Sequence, residues 1–124
     1  MARVLHHVAL GALGVEALAR FYAEVFGLAE QARHHDGVGE LRSIWLDLAG
    51  TILMIERTAA PGPRVDGVGF GPFLLAFGVS KAERTEIEHE LTLRGCPIEA
   101  RSAFSSYARD PEGHRIAISH YPEP

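Results

Sequence analysis

One pattern occurs twice in this chain, and the repetition limits the folds open to it. Sliding the sequence by 67 positions (74 minus 7) lays Leu74-Leu75-Ala76-Phe77-Gly78 over His7-Val8-Ala9-Leu10-Gly11, with Ala and Gly matched and the apolar positions in phase. In the first copy residues 5–10 alternate as a strand, Val8 and Leu10 on one face and His7 and Ala9 on the other. Val15, Leu18, Ala19, Tyr22, Val25 and Phe26 then recur at helical spacing, and Gly27 stands where a left-handed cap would end the helix. A strand over residues 29–35 follows. Residues 41–48 and 51–57 form a hairpin turning at Ala49-Gly50.

The second copy has the same order. Phe73, Leu75, Phe77 and Val79 alternate, Ser80 and Glu83 make a capping box, and a helix runs through Ile87 and Leu91 to Arg94, closed by Gly95. A strand around residues 97–101 leads into a last hairpin over residues 104–121, whose Asp110-Pro111-Glu112-Gly113 tip is a type I turn signal. Residues 59–72 are rich in Gly and Pro, lack periodicity, and read as a crossover. The expectation is one α+β domain over residues 1–124. It consists of two tandem βαβββ modules, residues 1–58 and 73–124, each a curved mixed sheet with a helix on its convex face and a concave face free to bind.

The hairpin gives the side chains their faces. With Asp47 opposite Ile52, Trp45 lies opposite Met54 and Ser43 opposite Glu56, while Ile44, Leu46, Leu48, Leu53 and Ile55 share the other side. The wholly apolar set belongs under the helix, which leaves Trp45, Met54, Ser43 and Glu56 on the binding face.

Size and composition agree with a small globular domain: 124 residues, 47% hydrophobic and 23% charged, enough for a core without a structural metal. Cys96 is the only cysteine, so no internal disulfide forms, and a reducing cytoplasmic setting is the expectation. No apolar stretch is long enough for a membrane span, and the N-terminus has no signal-peptide run. A formal charge of −4 with scattered Arg argues against nucleic-acid binding, which needs clustered cations.

His7-Val8-Ala9-Leu10, then Phe21-Tyr22 and Phe26-Gly27-Leu28, resembles the opening signature of the vicinal oxygen chelate superfamily (glyoxalase I, bleomycin-resistance proteins, extradiol dioxygenases). Asp110-Pro111-Glu112-Gly113 followed by Arg115-Ile116 resembles its closing signature, so the similarity spans essentially the whole chain. The resemblance implies a homodimer and, in metal-using members, four ligand positions. Carried over, these fall on His7, Glu56, Leu74 and Ala117. Neither Leu nor Ala coordinates a cation, and catalytic divalent sites take about three protein ligands, so only His7 and Glu56 remain as metal candidates for Zn, Ni, Mn or Fe. The Asp that the family commonly places at its helix entry is replaced by Gly14.

Each candidate also has a plainer reading. His7 and Glu56 suit acid–base catalysis if they converge in a pocket, or an ordinary hydrogen-bonded pair. Trp45 and Met54 suit the stacking of a flat ligand or the dry centre of a dimer interface. Phe104 is a further ligand candidate, and Leu74 and Ala117 would supply an apolar wall. His34-His35 reads as surface, since adjacent strand residues face opposite ways. His6, His114 and His120 read as structural, Phe21 and Tyr22 as helix packing, and Cys96 as inert.

Three functions follow from these residues. The first is a binder of a small organic molecule in the groove, without a complete family metal site. The second is a divalent-metal-dependent lyase, isomerase, epimerase or dioxygenase acting on vicinal oxygens through His7 and Glu56. The third is a dimerising partner module that has lost its chemistry.

Overall fold

The computed structural model describes residues 1–67 and 73–124. The elements, in chain order, are β1 His7–Ala12, α1 Val15–Phe26, β2 Glu30–His35, β3 Leu41–Leu48 and β4 Thr51–Arg57. They continue with β5 Leu75–Gly78, α2 Lys81–Leu93, β6 Ala100–Arg101, β7 Ser105–Arg109 and β8 Arg115–Ser119. The chain divides into two compact units, Met1–Gly62 and Pro63–Pro124, referred to below as modules one and two. Each holds a four-stranded mixed sheet, ordered β1-β4-β3-β2 and β5-β8-β7-β6 respectively. The first strand of each module pairs in parallel with the last, and the other pairings are antiparallel. This is the expected α+β pair of βαβββ modules. The tail of the crossover, residues 68–72, lies outside the described residues.

In module one, the helical period of residues 15–26 becomes α1, which buries Val15, Leu18, Ala19, Phe21, Tyr22 and Val25 and ends on Gly27 at φ 70. Glycine takes that left-handed conformation without a Cβ clash. The helix packs on β3 and β4, whose Ile44, Leu46, Leu53 and Ile55 are at most 1% exposed. Burying each such side chain contributes roughly 1.5–3 kcal/mol. The β3–β4 register is the one read from the sequence: Ser43 pairs with Glu56, Trp45 with Met54 and Asp47 with Ile52.

In module two the capping box is formed in full. Ser80 accepts from the Glu83 amide, and the Glu83 carboxylate accepts from the Ser80 amide. The helix meets β8, where Ile116 and Ile118 are 1% exposed. The last turn closes as expected: the Asp110 carboxylate accepts from the amides of Glu112 and His114, and Gly113 donates back to the Asp110 carbonyl at 2.9 Å.

Strand ends depart from the sequence reading wherever a partner strand sets them. β1 runs from His7 to Ala12 rather than over residues 5–10, because its parallel ladder follows β4 from Ile52 to Arg57. β5 is confined to the length that β8 pairs, from Ile116 to Ser119. β6 is confined to Ala100–Arg101, the two residues that pair with Tyr107 and Ser106 of β7. No helix among the described residues is long and apolar enough to cross a membrane.

Candidate functional site

The side of the module-one sheet away from α1 gathers most of the candidates. Strand alternation and the observed registers set them in two cross-strand rows. Ala9, Met54, Trp45 and Ala32 form one, and Gly11, Glu56, Ser43 and His34 form the next. Neighbouring strands are about 4.8 Å apart, so side chains adjacent in a row are in reach of each other. Ser43 is 1% exposed, while Trp45, Met54, Glu56 and His34 are half-buried. The Glu56 carboxylate has no hydrogen-bond or ion-pair partner among the described residues.

His34 was expected at the surface, and His35 is indeed exposed. The His34 ring instead lies against Trp45, with centroids 4.8 Å apart and planes tilted by 60°. His34 Nε2 and Trp45 Nε1 are both buried, and neither has a hydrogen-bond partner. An unmade hydrogen bond at a buried polar atom costs about 1–3 kcal/mol, so two of them on touching rings form a concentrated polar demand. Pairing of His34 with Ser43 would have revealed this position. Two register shifts in β2, between Glu30 and Ala32 and between His34 and His35, hide that phase from simple alternation.

His7 and Glu56 share the face without meeting. His7 pairs with Ile52, and Glu56 pairs with Gly11. Four residues of β4 therefore separate them, about 13 Å at strand rise. His7 is exposed and its Nδ1 lies 2.9 Å from Nδ1 of His6, a contact that needs one ring to donate and the other to accept. At Gly11 an added Cβ would fall 2.5 Å from the Thr58 methyl, so glycine makes room for Thr58 beside the Glu56 row.

In module two, the side away from α2 holds Ala117, which is 4% exposed and flanked by Ala76 and Tyr107. Leu74 is half-buried one residue before β5. On the same side Arg109 and Arg115 form a cross-strand pair. Arg109 pairs with Glu99 at 3.2 Å and donates to the carbonyls of Val65 and Gly113. Arg115 donates to the Gly67 carbonyl. Phe104 falls on the other side, its ring packed against His120 and Tyr121.

Around that ring a polar network ties α2 to the sheet. Arg84 donates to Ser106, His120 and the carbonyls of Ser102, Ala103 and Ser105. Since His120 Nε2 accepts from Arg84, its Nδ1 donates to the Glu123 carbonyl, which fixes the tautomer. The Arg101 guanidinium, with Ser106 and Arg84, holds the Glu88 carboxyl below the usual carboxylate range. Burial pushes the Cys96 thiol up, reinforced by the nearby Asp110 charge, which suppresses the reactive thiolate.

A shallow depression of about 180 Å³ lies on the helix side of module one, lined by residues including Glu16, Arg20, Glu30 and Arg33. Arg33 pairs with both Glu16 and Glu30 there, so its charges are already matched.

The donor set does not fit a divalent metal of the family type. Leu74 and Ala117 offer no donor atom, His7 and Glu56 are offset along β4, and among the described residues no group of three or more His, Cys, Asp or Glu converges. About three protein ligands are the usual minimum at such a centre.

A comparison with curated proteins gives no match. Solved structures give many. The fosfomycin resistance protein FosX from Listeria monocytogenes, in complex with Mn(II) and 1S,2S-dihydroxypropylphosphonic acid, is similar with a TM-score of 0.79 at 19% identity, over 97% of this chain and 94% of that one. A possible glyoxalase from Bacillus cereus gives 0.72 at 22% identity, over 95% and 99%. A lactoylglutathione lyase from Agrobacterium tumefaciens gives 0.65 at 22%, over 95% and 93%. These likenesses establish a common fold. The family model described as Glyoxalase/Bleomycin resistance protein/Dioxygenase superfamily matches residues 4–118, and the chain, built of the two βαβββ modules that its sequence implied, belongs to that superfamily.

Proposed function

We propose that this protein binds a small planar organic molecule on the module-one sheet, over Trp45 and Met54, and does so without a family-type metal centre. The observation that carries the reading is the cross-strand Trp45–Met54 pair on the side away from α1, bordered by a carboxylate with no partner among the described residues. An indole beside a thioether offers a flat, polarisable surface, and a few polar groups at its rim give orientation. Glu56 supplies that rim, with Ser43 buried beside it. Leu74, Phe104 and Ala117 belong to module two.

The alternative, a metal-dependent lyase, isomerase, epimerase or dioxygenase, requires His7 and Glu56 to share a site, and their offset along β4 counts against it. A homodimer in the cytoplasm belongs to the same proposal; it rests on the family resemblance and the single cysteine.

Trp45 is the only tryptophan, so intrinsic fluorescence reports on this surface alone. Titration with a panel of neutral and cationic planar aromatics should give saturable quenching and a raised melting temperature for at least one compound. Calorimetry should show that Trp45→Ala weakens that compound at least tenfold. An unchanged affinity in Trp45→Ala would refute the placement. Stoichiometric Zn, Ni, Mn or Fe in the purified protein would favour the metal-dependent reading instead.

A further inference from the structure

From the two ring nitrogens that lack partners on this sheet we infer that the ligand is a planar molecule carrying a hydrogen-bond acceptor oxygen, which Trp45 and His34 receive together. The inference rests on the binding reading above and adds the chemistry of recognition. Indole Nε1–H can only donate, so whatever satisfies Trp45 must accept. His34 Nε2 lies on the ring that touches the indole, and its protonated tautomer donates to the same oxygen or to a neighbouring one. A carbonyl or carboxylate oxygen conjugated to a flat ring meets both requirements, since its ring stacks on the Trp45–Met54 surface while the oxygen reaches the nitrogens. Both nitrogens are buried, so the His34 and Trp45 rings must part for the oxygen to enter.

The far end of the site adds a second requirement. Glu56 lies two strands from His34 in the same row, roughly 10 Å at ordinary strand spacing. The Glu56 carboxylate accepts and does not donate. A ligand with an acceptor at one end and a donor or cation about 10 Å away at the other would satisfy both ends, which selects against purely hydrocarbon planar molecules.

The test uses a matched pair of probes, 2-acetylnaphthalene and 2-ethylnaphthalene, which share a ring system and differ in the carbonyl oxygen. Affinities of the full chain are measured by Trp45 fluorescence and, for the variants, by calorimetry. The acetyl compound should bind about tenfold or more tightly, the worth of one or two net hydrogen bonds. That preference should fall about threefold or more in each of His34→Phe and Trp45→Phe, which keep a ring and remove the donor, and below about twofold in the double variant. In the wild type the single indole N–H resonance should move further downfield with the acetyl compound than with the ethyl one, the difference marking the hydrogen bond beyond the ring-current shift both probes share.

Equal affinity for the two probes would overturn the inference while leaving the binding surface standing. If neither probe nor any compound of the aromatic panel binds, the reading of the surface falls and takes the inference with it. An indole resonance whose environment is set by dimerisation, with Trp45→Phe dissociating the dimer in sedimentation, would assign these nitrogens to a subunit contact and also overturn it. So would an ordered water bridging both nitrogens unchanged in a crystal soaked with the acetyl compound.

Discussion

Removing the Arg84 guanidinium should unfasten module two from within. This side chain is 14% exposed and spends all three nitrogens on the loop between β6 and β7 and on the strands beside it. Its bonds to Ser106, His120 and the Ser105 carbonyl are part-buried, at 2.8, 3.1 and 2.8 Å. Those to the carbonyls of Ser102 and Ala103 are exposed, and water can replace them. Counting only the part-buried three at about 1 kcal/mol net each, Arg84→Met should lose roughly 3 kcal/mol. That is also the lower end of the range for removing one member of a buried charged network. Arg84→Lys keeps the charge but not the planar fork, and should lose about 1–2 kcal/mol. For a chain of this size each kcal/mol moves the melting temperature by roughly 3–6 °C, so the Met variant should melt about 9–18 °C lower. Circular dichroism during urea and thermal unfolding measures both. A loss below about 1 kcal/mol at unchanged denaturant slope would refute the claim that these bonds carry the contact, as would a lysine variant equal to wild type.

The remaining predictions concern the same module and the first hairpin. Glu88 has its carboxyl held low by Arg101, so its stabilising effect is fully present above its ordinary value of 4.5 and is lost as pH falls through the lower folded value; Glu88→Gln should lower stability at pH 7 and flatten its decline toward pH 3 in urea melts. Ala49 sits at φ 48 beside Gly50 at φ 105, the backbone of a two-residue turn that prefers Asn-Gly, so Ala49→Asn should raise stability by about 0.5–1 kcal/mol in chemical denaturation. A lower midpoint would show that the turn carries no such strain.

Most of the fold was legible because each element obeyed its period. The alternation of residues 41–57 placed Trp45 opposite Met54 and Ser43 opposite Glu56, and the Ser80–Glu83 box marked the start of α2, as the structure has them. What the sequence hid were quantities set by a partner. The parallel offset of β1 against β4 put Ile52, not Glu56, beside His7, and a face assignment alone cannot supply that offset. His34 was obscured in the same way, since two irregularities in β2 break the count that would have placed it beside Trp45. Phe104 lies one position before β7 with its ring against His120 and Tyr121, a setting that its residue type alone does not reveal.

The irregular pairing of β2 has a consequence for the crowded cell. This strand is an outer member of its sheet, and a straight outer strand offers its free amides and carbonyls as a template on which other chains can grow. Two breaks in spacing within six residues deny an incoming strand any long continuous run to match. The two-residue β6 at the margin of the other sheet is too short to serve that purpose. The distortion that seats His34 on the indole thus also guards the chain against fibrous growth.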